Sequence, residues 1–349
     1  MSNQRKKVLI VDDSAIIRQL LSQVLGSAAD LEVVGVAPDP YVAWEKIKSL
    51  SPDVLTLDVE MPRMDGVTFL ERLMKLHPMP VVMVSSLTEE GCATTLRALE
   101  LGAFDFVAKP KVDIRAGTLE LADSILEKVR AAAHSKPKAP KARRSIRATP
   151  VKAPIGAMLK TTHRIVAVGA STGGTEAIRE ILIRLPADAP PIVIVQHMPP
   201  GFTRAFAARL DSMTAVRVKE AEDGDRLFPG RVLIAPGDYH MALRRSGADY
   251  SVRVFSSERV NHHRPSVDVL FDSCAACAGA NVVGVILTGM GSDGAKGMAN
   301  MHTKGAHTLA QDEDSCIVFG MPREAVALGA ADEILPLGRI PMAILQACA

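Results

Sequence analysis

Short apolar runs rich in β-branched residues alternate along the first third of the chain with longer stretches that show helical spacing. We predict the apolar runs as strands at residues 8–11, 33–37, 54–57, 81–84 and 105–108. We predict helices near residues 15–25, 40–50, 66–76, 91–101 and 118–132. Strands that are continuously apolar are buried on both faces, so this series predicts a parallel sheet covered by helices on each side.

A second series with the same alternation follows. Its predicted strands lie near residues 165–170, 192–196, 216–220, 232–235, 252–255, 282–288 and 307–310. The expected fold is therefore α/β, with two doubly wound parallel-sheet domains at residues 5–125 and 161–349. In such sheets the functional crevice lies beyond the carboxyl ends of the strands.

Charge is distributed unevenly along the chain and indicates a linker at residues 126–160. The whole chain has 41 basic and 39 acidic residues, but this segment has 10 basic and 1 acidic. It is rich in proline and has few large apolar residues, so we expect an extended tether and not a core. Nucleic-acid-binding domains carry their positive charge on a folded face, and this distribution argues against a nucleic-acid partner.

The number of cysteines and the hydropathy of the chain indicate in which cellular compartment the protein functions. Five cysteines, an odd number without framework spacing, indicate a reducing compartment, and we expect a cytoplasmic protein. The pair Cys274 and Cys277 is expected to be buried core thiols, with redox chemistry or a metal site as alternatives. No apolar run approaches the ~18 residues of a membrane span, so no membrane insertion is expected.

Carboxylates follow two strands of the first domain. Asp12 and Asp13 come directly after the first predicted strand, and Asp58 follows the third. Clustered carboxylates favour a cation among them, and such oxygen ligands suit Mg²⁺. Ser85 and Lys109 end the next two strands and could hold phosphoryl oxygens at Asp58. Helix capping by the two adjacent aspartates is the alternative.

These residues lie in segments that resemble the receiver domain of two-component response regulators. The segments are VDDSAIIR at 11–18, LDVEMPRMDG at 57–66, VSS at 84–86 and AKP at 108–110. The resemblance implies a flavodoxin-like fold and a phosphoryl group transferred to Asp58 from a histidine kinase. It also implies Mg²⁺ bound by Asp12, Asp13 and Asp58. Ser85, Lys109 and the aromatic residue Phe106 would transmit the phosphorylation state.

The second domain carries a candidate nucleophile. Ser171 lies in VGASTGGTEA, where glycines allow a tight strand-to-helix turn whose free amides attract an anion. His197 ends the next strand and could act as its base, and Asp293 in LTGMGSDGA could orient that histidine. Taken singly, Ser171 could be a helix cap, His197 a buried hydrogen-bonded residue and Asp293 a turn residue.

Taken with the receiver, the second domain resembles the catalytic domain of chemotaxis protein-glutamate methylesterases. GASTGG, QHM and TGMGSDGA carry this resemblance. It implies a Rossmann-like hydrolase that cleaves glutamate γ-methyl esters of chemoreceptors and deamidates receptor glutamines. No cofactor is expected for ester hydrolysis. It further implies that the unphosphorylated receiver blocks the active site, and it makes the Met290 amide a candidate oxyanion donor.

Three other classes of protein are alternatives to this hypothesis. A DNA-binding response regulator would need a compact basic helical domain, whereas residues 161–349 have a net charge of −2 and alternate strands with helices. A nicotinamide enzyme would need a G-x-G-x-x-G turn and an acidic residue after the next strand, where Gln196 and His197 stand instead. A non-catalytic scaffold with the same fold stays open, because only an assay separates it from an enzyme.

Overall fold

The computed structural model describes residues 5–109, 118–135 and 164–349, which form two compact units. The first unit comprises residues 5–135 and the second residues 164–349. Most of the basic linker predicted at 126–160 and Pro110 of the AKP motif lie outside the described residues. No helix in the described ranges is long and apolar enough to cross a membrane.

The first unit alternates strands with helices throughout. Its elements are β1 (Lys6–Val11), α1 (Ala15–Gly26), β2 (Leu31–Ala37), α2 (Pro40–Leu50), β3 (Val54–Asp58), α3 (Gly66–Leu76), β4 (Val81–Ser85), α4 (Glu89–Glu100), β5 (Asp105–Ala108) and α5 (Thr118–His134). The strands form one parallel sheet in the order β2-β1-β3-β4-β5. The predicted doubly wound sheet is confirmed, and its order reverses direction between β1 and β3, where a ligand crevice opens.

The last helix of this unit continues past residue 125, where the sequence placed the domain boundary. Ile125, Val129 and Ala132 are buried in the same core as the inward side of β1 and α1. Their spacing of four and three residues lines one helix face, so burial of that face keeps the chain helical as far as His134. The start of the predicted linker is therefore part of this unit.

The second unit is a larger α/β layer structure. Its elements are β6 (Ile165–Ala170), α6 (Gly174–Leu182), β7 (Ile192–Gln196), α7 (Phe202–Asp211), β8 (Arg217–Glu220), β9 (Arg231–Ile234), β10 (His240–Ser246), β11 (Asp249–Phe255), α8 (Val267–Cys277), β12 (Val282–Ile286), α9 (Ala295–Thr303), β13 (His307–Gln311), α10 (Met321–Ala327), β14 (Glu333–Leu335) and α11 (Ile340–Cys348). Seven strands form a sheet in the order β14-β13-β12-β6-β7-β9-β8, and every neighbouring pair is parallel. The carboxyl ends of β12, β6 and β7 therefore lie side by side.

Three strands differ from the sequence prediction. The predicted strand at 252–255 belongs to β11, which pairs antiparallel with β10 in a separate hairpin and does not join the parallel sheet. β10 has no continuous apolar run because its second half is exposed and charged, as expected for a hairpin with a solvated face. β14 has only three residues, two of them exposed, and is too short to show a period.

Candidate active site and candidate phosphorylation site

Ser171 lies in a tight turn between β6 and α6. Gly173 has a φ of 79°, a left-handed conformation that favours glycine, and α6 begins at Gly174. Two hydrogen bonds join the backbone of Ser171 to residues that follow or end neighbouring strands. Its N–H donates to the carbonyl of Thr288 at 3.1 Å, and its carbonyl accepts from Nε2 of Gln196 at 2.8 Å. The turn is thereby fixed to the ends of two neighbouring strands.

The backbone at Gly289 and Met290 passes beside the Ser171 turn. A Cβ added to Gly289 would lie 2.8 Å from Cβ of Ser171, so only glycine permits this approach. Met290 is the next residue, and it is half-buried. The candidate oxyanion amide is therefore one residue away from a glycine that packs closely against Ser171.

His197 and Asp293 are in direct contact. Nε2 of His197 lies 2.8 Å from Oδ2 of Asp293, and the side chains are 7% and 1% exposed. Because the ionised carboxylate only accepts, Nε2 carries the proton of the neutral ring and Nδ1 carries a lone pair. Nδ1 is buried and has no hydrogen-bond partner among the described residues, Ser171 included. Nδ1 is thus the ring atom that remains able to accept a proton.

The carboxylate of Asp293 accepts several hydrogen bonds besides the one from His197. Its donors are Asn261 Nδ2 at 2.7 Å, Ser266 Oγ at 2.8 Å, Val267 N at 2.6 Å and Asp268 N at 3.3 Å. Burial by itself would raise the pKa of Asp293, but the hydrogen bonds from His197, Asn261 and Val267 outweigh it and hold the pKa well below its usual range. Asp293 therefore stays ionised and oriented.

Sequence reasoning missed Asn261, which holds Asp293. Asn261 also donates to Asp268 at 2.7 Å, so one amide group bridges two buried carboxylates. His263 stacks on His197 with ring centroids 3.7 Å apart. Asn261 and His263 belong to a loop without a recognisable motif, and they reach the site only because the chain folds back onto α8. Their sequence separation from Asp293 carries no signal of this contact.

The first unit brings its three aspartates together. Side-chain oxygens of Asp12, Asp13 and Asp58 all lie within 4.8 Å of one another. Nζ of Lys109 lies 2.6 Å from Oδ2 of Asp58 and 3.9 Å from Oδ2 of Asp12. Gly66 packs against this site, where any Cβ would lie 1.8 Å from the carbonyl oxygen of Asp58.

The electrostatics of this acidic site favour a cation. Burial raises the pKa of Asp58 to about 7 and also raises that of Asp12, although Lys109 opposes both shifts. One ammonium beside three ionised carboxylates leaves a formal charge of −2. Oδ2 of Asp12 is also buried without a hydrogen-bond partner in the described chain. An unsatisfied oxygen in a site of this charge fits a divalent ion with oxygen ligands.

The predicted switch residues lie close to the acidic site or in the adjacent core. Ser85 ends β4, and its hydroxyl accepts a 2.6 Å hydrogen bond from Oγ1 of Thr95 on α4. Phe106 on β5 is buried, with Nζ of Lys128 5.0 Å from its ring centroid. Thr95 and Lys128 were not singled out from the sequence.

The two units and their sites define a class of protein, in which a response-regulator receiver is joined to a hydrolase unit with a Rossmann-like fold. Residues 8–116 match the family model of the response regulator receiver domain, and residues 166–344 match that of CheB methylesterase. The chain belongs to the CheB methylesterase family, which confirms the resemblance drawn from its motifs.

Curated relatives are similar over nearly the whole chain. A protein-glutamate methylesterase/protein-glutamine glutaminase of Chromohalobacter salexigens is 57% identical over 99% of this chain and 97% of its own length. A protein of the same description from Cupriavidus pinatubonensis is 59% identical over 97% of this chain and 94% of its own. The crystal structure of the Thermotoga maritima CheB methylesterase catalytic domain covers 52% of this chain and 97% of that domain, with 43% identity and a TM-score of 0.51.

Proposed function

We propose that this protein is a phosphorylation-regulated hydrolase that removes methyl groups from glutamate γ-methyl esters of chemoreceptors and deamidates receptor glutamines. The observation that carries the proposal is the contact between His197 and Asp293, which leaves Nδ1 of His197 without a hydrogen-bond partner in the described chain. The backbone N–H of His197 donates to the carbonyl of Ala170, the residue before Ser171. The names of relatives 57–59% identical over almost the whole chain support the same activity.

In the proposed reaction, Oγ of Ser171 attacks the ester carbonyl while Nδ1 of His197 accepts its proton. The oxyanion is stabilised by the backbone N–H of Met290, and the imidazolium by the ionised Asp293. His197 then returns the proton to the departing methanol oxygen. Water, deprotonated by His197, hydrolyses the acyl-enzyme and releases a glutamate carboxylate. With glutamine as substrate the leaving group is ammonia.

Formation of the Ser171 to His197 hydrogen bond accompanies substrate binding in this scheme. Catalytic hydrogen bonds that are open in a free enzyme commonly tighten in the complex with substrate. The backbone of Ser171 is held by hydrogen bonds to Thr288 and Gln196, so this scheme assigns the adjustment to the Ser171 side chain.

Regulation is assigned to the first unit. Asp58 accepts the phosphoryl group from a chemotaxis histidine kinase. Asp12, Asp13 and Asp58 would hold Mg²⁺, whose charge would reduce the repulsion between these carboxylates and the anionic donor. Lys109 and Ser85 bind the phosphoryl oxygens, and the change is transmitted through Phe106. The unphosphorylated receiver unit blocks access to Ser171, and phosphorylation relieves the block.

The experiment that tests this function measures methanol release from methyl-labelled receptor membranes with and without a small-molecule phosphodonor. The wild-type protein should release methanol, and faster with the phosphodonor and Mg²⁺ present. Ser171→Ala should keep the circular dichroism spectrum but lose turnover by orders of magnitude, because members of such a triad act as one unit. Turnover by Ser171→Ala near the wild-type rate would contradict the proposed mechanism.

A further inference from the structure

A shallow hollow lies on the surface of the second unit between the hairpin β10–β11 and the end of α8. Its volume is about 530 Å³. The hairpin lines it with Arg244, Arg245, Arg253 and Phe255, and α8 with Ala276 and Cys277. The mechanism described above does not use this surface.

The three arginines of this hollow carry positive charge that no carboxylate balances. Arg244, Arg245 and Arg253 are exposed, and none forms an ion pair with a residue in the described parts of the chain. The hairpin's own carboxylate, Asp249, is paired with Arg226 at 2.6 Å. The hollow therefore offers guanidinium groups to an acidic ligand, and guanidinium binds carboxylates through two parallel hydrogen bonds.

Aromatic rings constrain two of these guanidinium groups. Arg253 lies 4.9 Å from the ring centroid of Phe255, and Arg245 lies 5.7 Å from that of Tyr250. Such cation–π contacts restrict an arginine side chain before a ligand arrives. Less conformational entropy is then lost when the ligand binds.

Helix α8 connects the hollow to the active site. Its first residue, Val267, donates its backbone N–H to Asp293, and its last turn provides Ala276 and Cys277 to the hollow. At 1.5 Å per residue, this 11-residue helix places the hollow about 16 Å from Asp293. A substrate segment some ten residues long in helical form would span that distance.

We propose that this arginine hollow binds the carboxylates of an acidic segment of the substrate protein, about 16 Å along α8 from Asp293. The proposal rests on the proposed function, because a segment rich in glutamyl methyl esters also carries unmodified glutamates. Each hydrolysis adds a carboxylate to that segment, which strengthens the complementarity with the three arginines.

The test compares the double variant Arg244→Glu/Arg253→Glu with wild type and with a control, Arg217→Glu. Arg217 is exposed on the edge strand β8, outside the hollow, and has no ion pair in the described chain. Methanol release is measured from receptors in nanodiscs of neutral lipid. The double variant should raise KM for the receptor roughly tenfold or more, leave kcat unchanged and flatten the salt dependence of kcat/KM. The control should behave as wild type.

Two further measurements separate the possible outcomes. The rate at which a fluorophosphonate labels Ser171 reports the active site without the receptor, and it should be equal in all three proteins. An unchanged KM in the double variant, or an equal rise in the control, would overturn the docking proposal while leaving the function standing. If KM of the double variant rises only with receptors in anionic nanodiscs, the hollow binds the lipid surface. That result would also overturn the docking proposal. Absence of both labelling and turnover in wild type would instead contradict the proposed function.

Discussion

Thr288 connects the nucleophile turn to the loop after β13, and the isosteric substitution Thr288→Val tests how much that connection contributes. The side chain is 1% exposed. Its hydroxyl donates to the carbonyl of Thr172 at 2.9 Å and accepts from the N–H groups of Ile317 at 3.1 Å and Val318 at 2.9 Å. Valine keeps the shape of threonine but lacks the hydroxyl. The carbonyl of Thr172 and the N–H groups of Ile317 and Val318 therefore lose this hydrogen-bond partner.

The expected decrease in the free energy of unfolding follows from the number of polar groups that Thr288→Val leaves without a hydrogen bond. An unsatisfied buried polar group costs about 1–3 kcal/mol. The 37% exposure of Ile317 allows water to bind its N–H, so two groups stay unsatisfied and we expect a loss of about 2–6 kcal/mol. For a unit of this size that lowers Tm by roughly 4–24 °C. A looser Ser171 turn should also reduce kcat about tenfold or more, because misplacement of a nucleophile is costly.

A matched control exists in the first unit. The hydroxyl of Thr56 on β3 is buried without a hydrogen-bond partner in the described chain, so Thr56→Val removes an unsatisfied group and should be neutral or stabilising. Denaturant unfolding is followed by far-UV circular dichroism for the whole chain. Fluorescence of Trp44, the single tryptophan, follows the first unit. If Thr288→Val costs no more stability than Thr56→Val, the hydrogen-bond argument for the nucleophile turn is refuted.

Three other predictions concern the orienting carboxylate, the phosphorylation site and the regulation. Asp293→Asn should keep the fold but lower kcat for methanol release on the order of 10³–10⁴-fold, because the histidine loses its orienting anion; a loss below tenfold would contradict the assigned role. Burial raises the pKa of Asp58 to about 7, so the native state binds this proton more tightly than the unfolded chain, and wild-type stability should fall as pH rises from about 4 to 7 without Mg²⁺. The stability of Asp58→Asn relative to wild type, followed by Trp44 fluorescence in chelator, should therefore increase over that range, and a flat difference would count against the raised pKa. A fragment of residues 155–349 should demethylate receptors faster than the unphosphorylated full-length protein, by roughly 5- to 150-fold if the receiver unit blocks the site with a coupling of about 1–3 kcal/mol; an equal rate would exclude occlusion.

Much of this protein could be predicted from local sequence patterns. Central strands of both sheets, such as β3, β7 and β12, are largely apolar and buried along their whole length, because both faces of a parallel sheet are buried. Residues placed directly after such strands gather at one edge of the sheet. On this ground the sequence places Asp12 and Asp58 in one crevice, and Ser171 and His197 in another.

Where the periodic signal weakens, sequence prediction was less accurate. The helix near residues 118–132 was predicted, but the domain boundary at residue 125 cuts through it, because the burial of Val129 and Ala132 in the core of the first unit depends on what the helix packs against. The hairpin β10–β11 has a solvated face with charged residues, and its strands therefore do not resemble those of the parallel sheet.

The sequence by itself determined which chemical groups are present and at which strand ends they stand, because strand burial and turn glycines are local properties. Only the tertiary structure decided which ring nitrogen of His197 faces Asp293, and that Asn261 bridges Asp293 and Asp268. Only the tertiary structure shows that Oδ2 of Asp12 is buried near Asp58 without a hydrogen-bond partner in the described chain. These features depend on contacts between residues far apart in the chain, whose directions are set by packing and not by sequence spacing.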